Sequence, residues 1–284
     1  EQSRLQAVAV TNGPGLIGSL LVGLSLAKAF AFALRIPVVG ISHIEAHLAG
    51  VALDLGEDQV APPFIGLVAS GGHTEIVEVT AWGSWRLLGA TRDDAAGEAF
   101  DKVAKLLGMG FPGGPALSRA AGAGRPDAFE FPRAWLGLDQ GGLDFSFSGL
   151  KTAVKLFLDR QGWPQNPAAG PARARLIADV SASFQEAVVE VIARKLVKAA
   201  EVSGVRRIAI SGGVAANPRL RERLREIAGA EGIVLWLPSP SICGDNAAMV
   251  GMAAIHHLRR GERSRYDLAA IPNLDDWEGF YITS

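Results

Sequence analysis

Short apolar runs that stop at glycine recur along the chain, and between them the apolar period lengthens from two residues to between three and four. Residues 5–11 alternate weakly and end at Asn12-Gly13-Pro14-Gly15, which predicts a strand and then a turn. Residues 18–34 are predicted to form an apolar helix and 38–41 a short strand. The whole run 16–41 reads as a buried helix entering a buried strand. Lys28, Arg35, Pro37 and its glycines interrupt the ~20 clean residues that a membrane span needs. Ser42 opens a further helix, and the acidic, proline-containing stretch 54–63 reads as a linker between lobes.

Strands are predicted at 64–70, 74–80 and 85–90, with a turn at Gly71-Gly72. From 93 to 123 the period is helical, broken at "GMGFPGGP". Residues 122–142 read as irregular, and "LDFSFSGLKT" as a strand and helix cap. Helices follow at 151–158 and 173–202, strands at 207–210 and 233–237, and a helix at 246–259; the polar tail from Gly261 is expected to wrap the surface. Strands alternating with helices make the chain α/β. "LVASGGHT" and "IAISGGVAAN" are both apolar strands running into Ser-Gly-Gly, an internal echo that suggests two related lobes presenting glycine turns to one cleft.

At 284 residues two lobes are expected. Residues 1–60 would form the first, with 246–284 packing back on it, and 61–245 the second, with a helical insertion about 92–170. The 28 basic and 29 acidic side chains give a net charge of −1. No global positive field draws in nucleic acid, so an RNA substrate needs a local basic patch or a basic partner. Arg119, Arg125 and Arg133 form a loose basic group that ordinary surface arginines explain equally well. The lone Cys243 excludes a disulfide framework and favours a reducing cytoplasm. No signal-peptide pattern and no membrane association are indicated.

In "GISHIEAHLAG" Ser42 and Glu45 have the spacing of a capping box, and His43 and His47 lie one turn apart on the same helix face. Two imidazoles so placed can share a metal ion; two plain helix histidines are the other reading. A protease helix carries its glutamate directly after the first histidine. Here the acid is about 200° from His43 around the helix, so it points away from a shared ion, and capping is its expected role. A third ligand is needed. Asp245 in "SICGDNAAMVG" is the candidate, and a helix N-cap is its alternative. Cys243 reads as a small buried thiol.

The Ser70–Thr74 turn allows positive φ and close approach of the backbone to a ligand, or it is a plain hairpin. Asn217-Pro218, after the second glycine turn, makes a good cap and first-turn proline. The turn at residues 12–15 precedes a helix N-terminus, which favours anions. None of the three matches a P-loop or G-x-G-x-x-G. In "DDAAGEAFDKVAKLLG" the acids Asp93, Asp94, Glu98 and Asp101 read mostly as a solvated helix face, with Asp101 and Lys105 an i, i+4 pair.

Taken in order, "TNGPGLIGSLLVG", "HIEAH", "SGGHT", "DDAAGEAFDKVAKLLG", "PGGP", "FSFSGLKTAV", "SGGVAAN" and "CGDNAAMVG" closely resemble the TsaD family (Gcp or YgjD in bacteria, Kae-type in archaea and eukaryotes), the tRNA N6-adenosine threonylcarbamoyltransferases. The resemblance covers nearly the whole chain. It implies the two-lobed fold of actin, sugar kinases and heat-shock ATPases, with a cleft between lobes. It implies one divalent ion, Fe(2+) or Zn(2+), on His43, His47 and Asp245. The threonylcarbamoyl-AMP donor would lie along Val68, Ala69, Ser70, Gly71 and Gly72, with Asp101, Gly114 and Asn217 at its nucleotide part. Ser118 is a further candidate for a ribose contact, where some relatives carry an acid.

The implied reaction is acyl transfer from the donor to N6 of the adenosine next to the anticodon, in tRNAs reading codons that begin with A; AMP leaves, and no general base is identified. A TsaB-type paralogue and a TsaE-type ATPase are the implied bacterial partners, and the cytoplasm the implied location. Relatives begin with a strand hairpin carrying "ETS-D"-like residues, and that segment is expected to be missing from this sequence. A non-catalytic scaffold paralogue is the competing reading, although such a subunit would lack the histidines. A glycoprotease is disfavoured by the misplaced glutamate, and a sugar or acid kinase by the want of a suitable aspartate.

Overall fold

The apolar runs become strands and helices of two units, which a computed structural model describes for residues 5–136, 141–163 and 170–273 and for the backbone of 282–283. Glu1–Pro62, Thr80–Trp85 and Asp245–Ser284 form the first unit; Pro63–Val79 and Arg86–Gly244 form the second.

In the first unit β1 (Val8–Gly13) pairs parallel with β2 (Val38–Ser42), Val8 opposite Val38 and Thr11 opposite Ile41. A parallel pair needs a crossover, here α1 (Ile17–Leu34). The expected burial of this helix is wrong. Only Leu20, Leu24, Ala27 and Ala31 are buried, a narrow stripe whose Ala27 and Ala31 pack with Val8, Val10 and Val38. Leu16, Val22, Leu26 and Phe32 are exposed. By length and composition α1 would suffice to cross a membrane.

The helix α2 (His43–Leu55) is buried along most of its length and packs on α9 (Ala247–Arg259). Gly50 permits the approach, since a Cβ there would lie 3.0 Å from that of Met249. The chain after α9 is more than a surface wrap. β8 (Glu262–Arg263) pairs with β9 (Ile282–Thr283), and Ser264 donates its N–H to the Val38 carbonyl while its Oγ accepts from Gly40 N–H. Leu268 and Ile271 are buried, Leu268 against the bare face of Gly40. The part of the expected tail at 274–281 lies outside the described residues.

In the second unit β3 (Phe64–Ala69), β4 (Thr74–Ala81), β5 (Ser84–Ala90), β6 (Arg207–Ser211) and β7 (Val234–Trp236) make a mixed sheet in the order β5-β4-β3-β6-β7. β3 is antiparallel to β4 and parallel to β6, which is parallel to β7. The helices are α3 (Ala96–Leu106), α4 (Gly113–Ala121), α5 (Ser148–Arg160), α6 (Pro171–Ser203), α7 (Pro218–Glu231) and the short α8 (Pro240–Cys243). Their apolar faces share a core with the sheet in which Phe100 meets Phe184 edge-on, ring centroids 5.2 Å apart. α6 starts with Pro171 in its first turn and stops at Gly204 in the left-handed region.

The acids before α3 are not a solvated helix face. Asp93 Oδ1 accepts the N–H of Phe147 and Ser148 and its Oδ2 the hydroxyls of Ser146 and Ser148, capping α5 from more than fifty residues away. Burial pushes the Asp93 carboxyl up, but these hydrogen bonds outweigh it and leave it below the usual range. Asp94 takes Lys102 at 2.6 Å and Lys151 at 3.1 Å. The segment before α5 forms no strand of its own; Phe145 makes an isolated bridge to Thr91. Of the stretch read as irregular, 137–140 lie outside the described residues.

Glu75 on β4, opposite Val68, is 5% exposed, and its Oε2 meets no donor among the described residues. Burial pushes its carboxyl up to about 8. The folded chain therefore keeps a proton that the unfolded chain has lost, and stability falls as pH rises from the ordinary glutamate range towards 8. Glu75→Gln removes this dependence. Its stability advantage over wild type is expected to be larger at pH 8.5 than at pH 5 by on the order of 3 kcal/mol, read from urea melts; an equal difference at both pH values contradicts it.

Candidate functional site

Ser42 ends β2 and caps α2, its Oγ accepting the Glu45 N–H at 3.4 Å. The first helical residue is therefore His43, and His47 lies one turn on; the rings meet edge-on with centroids 4.6 Å apart. The Glu45 side chain does not complete a capping box. It is buried and reaches across to α9, where its Oε1 is 2.8 Å from His257 Nε2; His257 Nδ1 is 2.6 Å from Glu262 Oε2.

Asp245 stands just before α9, and it is not the cap. Asn246 takes that role, its Oδ1 accepting the Met249 N–H at 2.9 Å. The Asp245 carboxylate turns to the histidines, with Oδ1 3.1 Å from His47 Nε2 and 3.5 Å from His43 Nε2. One donor atom from each residue lies within 4.8 Å of the others. Bonds of about 2.0–2.2 Å to a zinc-like ion place neighbouring ligand atoms roughly 3–3.5 Å apart. Two imidazole nitrogens and one carboxylate oxygen suit iron or zinc and leave coordination positions for water or substrate. The residues fit a divalent ion. His47 is fully buried, whereas the Asp245 side chain is 73% exposed, so the centre has a closed side and a solvent side. Cys243 is a buried thiol, with Sγ contacts to the carbonyls of Pro238 and Ser239.

In the second unit the Ser70–Thr74 turn closes the β3–β4 hairpin. Ser70 N–H bonds the His73 carbonyl, and His73 N–H the Ser70 hydroxyl. Gly71 and Gly72 do not use positive φ, contrary to expectation. A Cβ on either meets nothing within 4 Å, so neither torsion nor packing within the chain demands glycine there, and their N–H groups donate to no acceptor among the described residues. Positive φ is used at Gly212 (φ +91°), where a Cβ would lie 2.3 Å from the Ala69 carbonyl oxygen. That close approach sets the second glycine turn against the end of β3.

Asp101 does not pair with Lys105. Its Oδ1 accepts the N–H groups of Gly113 and Gly114 at 2.8 and 3.0 Å, capping α4. Asn217 caps α7 through Oδ1, and its Nδ2 donates to Gln185 Oε1 at 2.7 Å and to Ser118 Oγ at 3.4 Å. Gly71, Asp101, Gly114, Ser118 and Asn217 all line one cavity of about 480 Å³, within the size range of small-molecule sites. Ser70 and Gly72 flank it without lining it, and Val68 and Ala69 are fully buried in β3.

Sequence reasoning missed Phe100 and Arg119, which also line the cavity. Arg119 repeats Pro115 one helical turn on, as Ser118 repeats Gly114, so helix periodicity carried the signal. Arg125 and Arg133 pair instead with Asp179 and Glu190.

The family model described as TsaD: tRNA N6-adenosine threonylcarbamoyltransferase matches residues 1–252. The chain is 50% identical over 269 residues to the tRNA N6-adenosine threonylcarbamoyltransferase of Geobacter sulfurreducens, covering 95% of this chain and 75% of that protein. It is 51% identical over 257 residues to that of Syntrophobacter fumaroxidans, covering 90% and 74%. Among solved structures it is similar to HypF from T. kodakarensis, with a TM-score of 0.64 and 18% identity over 90% of this chain and 41% of that one. At that identity the likeness shows the fold alone, the α/β fold of the actin-like, sugar-kinase and heat-shock ATPase group.

His43→Ala, His47→Ala and Asp245→Ala are each expected to lower bound iron or zinc at least ~10-fold, measured by elemental mass spectrometry on purified protein. Retention of a full equivalent by all three removes the assignment.

Proposed function

The chain belongs to the TsaD family of tRNA N6-adenosine threonylcarbamoyltransferases, and from that premise we propose that its donor is threonylcarbamoyl-AMP and its acceptor is N6 of the adenosine next to the anticodon, in tRNAs reading codons that begin with A. The observation that carries the reading is the meeting of two histidines of α2 with Asp245 within 4.8 Å. A non-catalytic scaffold has no use for such a set. A glycoprotease of this kind needs a free general base beside the ion in addition to the ligands, and Glu45, the acid between the histidines, is committed to His257.

In the proposed reaction the amine attacks the carbamoyl carbonyl carbon, a new C–N bond forms, the C–O bond to phosphate breaks, AMP leaves with that oxygen, and the proton shed by the amine passes to solvent. Adenine N6 is a weak nucleophile because its lone pair is delocalised into the ring, so orientation carries much of the rate. The cavity lined by Asp101, Gly114, Ser118 and Asn217 holds the nucleotide part, with Phe100 as its apolar wall. The N–H groups of Gly71 and Gly72 face negative charge on the donor without having to break internal bonds. His43, His47 and Asp245 hold Fe(2+) or Zn(2+), which supplies Lewis-acid polarisation when bound. A TsaB-type paralogue, a TsaE-type ATPase and a cytoplasmic location complete the proposal, as the family implies.

Reconstitution with these partners, donor and unmodified tRNA is expected to yield threonylcarbamoyladenosine by nucleoside mass spectrometry; no product from a metal-loaded complex overturns the reading. Asp101→Ala is expected to weaken donor binding roughly 10-fold, as for a lost charged hydrogen-bond acceptor, with metal content unchanged. Calorimetric affinity equal to wild type counts against it.

A further inference from the structure

The turn between α3 and α4 carries Phe111, a residue that is 89% exposed. A single exposed apolar residue is ordinary, but this ring sits in a pinned turn. Asp101 holds the N–H groups of Gly113 and Gly114 just after it. Gly113 is packed so closely that a Cβ would lie 2.6 Å from that of Ala104.

Phe111 lines a second hollow of about 300 Å³ together with Gly71, Asp101, Lys102 and Lys105. It shares Gly71 and Asp101 with the nucleotide-sized cavity. It shares Lys102 and Lys105 with a third, larger hollow of about 740 Å³, where Lys151, Lys155, Trp163 and Arg173 join them. The three hollows thus form one track on the second unit.

Beside Phe111 the lining balances Lys102 and Lys105 against Glu98 and Asp101; the charge of the large hollow stands out against a chain of net charge −1. Five cations line the large hollow and one carboxylate, Asp159. Carboxylates hold three of the cations: Lys102 between Asp94 and Glu98, Lys151 on Asp94, Lys155 on Asp159. Lys105 and Arg173 meet no carboxylate within ion-pair distance among the described residues. Arg173 is steadied by the Trp163 ring, 4.2 Å from its centroid, and that indole is fixed by donating to the Leu106 carbonyl at 2.8 Å. An open aromatic face with spaced, unneutralised cations beside it is the pattern that binds single-stranded nucleic acid. Bases stack on the ring and phosphates meet the cations.

We propose that this track seats a single-stranded stretch of RNA, one base stacked on Phe111 and the backbone phosphates against Lys105 and Arg173. The assignment rests on tRNA being the acceptor and names the surface that receives its loop. A small anion would use the cations and leave the ring idle.

The test uses the full chain, assembled with the partners it needs, titrated with an anticodon stem-loop RNA at several salt concentrations. Phe111→Ala is expected to raise Kd about 5- to 30-fold, and Phe111→Trp to stay within about 2-fold of wild type. Lys105→Ala and Arg173→Ala are each expected to raise Kd roughly 3- to 10-fold and to reduce the salt slope by about 0.7. Donor affinity and melting temperature are expected to hold, and Arg225→Ala, an exposed cation of α7 outside the track, to bind as wild type does. Wild type that modifies tRNA while the Phe111, Lys105 and Arg173 variants keep its Kd and slope overturns the proposal alone. So does loss of a protein partner from Phe111→Ala with RNA affinity retained, which makes the ring a protein contact. Wild type that neither binds nor modifies tRNA overturns the proposed function as well.

Discussion

The pairing of α2 with α9 decides whether there is a metal centre at all, and the contact that sets its register is Glu45 against His257. Glu45 lies between the two histidines in sequence but on another face of the helix, so it can pin α2 while they stay turned to Asp245. His257 is fully buried with a carboxylate at each ring nitrogen. Truncating one partner of such a set leaves buried polar atoms unsatisfied, at about 1–3 kcal/mol each. Gly50 sets how closely the helices approach, and Asn246 relieves Asp245 of capping.

Acids in the second unit work at a distance from the elements on which they sit. Asp93 caps α5 and Asp101 caps α4, each gathering backbone N–H groups at a helix start. Uncapped, those groups would face solvent or each other's dipoles. Because Asp101 both lines the nucleotide-sized cavity and ties the turn that carries Phe111, the cavity wall and the exposed ring share one support.

Most elements were legible because their signals are local: apolar period, glycine stops, Ser42 and Asn217 as caps. The histidine pair was legible for the same reason, since helix geometry alone puts residues 43 and 47 on one face. Whether Asp245 would cap α9 or turn to the histidines was not, because that depends on how α9 lies on α2. Long-range contacts also misled the reading of Glu45, and of Asp93 and Asp94, whose partners lie far along the chain. The α1 error has a different origin. A uniformly apolar helix gives no period from which to tell its buried stripe from its bare one. Gly71 and Gly72 looked like backbone torsion requirements, and the structure uses no positive φ and has open space at both. That difference depends on the space around them, which composition does not record.

The bare side of α1 has a consequence for how the molecule behaves in the tube. Val22, Leu26 and Phe32 present oily surface to water on one rod about 27 Å long. Handled alone, such a polypeptide is adhesive. It is expected to bind phenyl resin and hydrophobic dyes, and to gain colloidal stability from whatever shields that side.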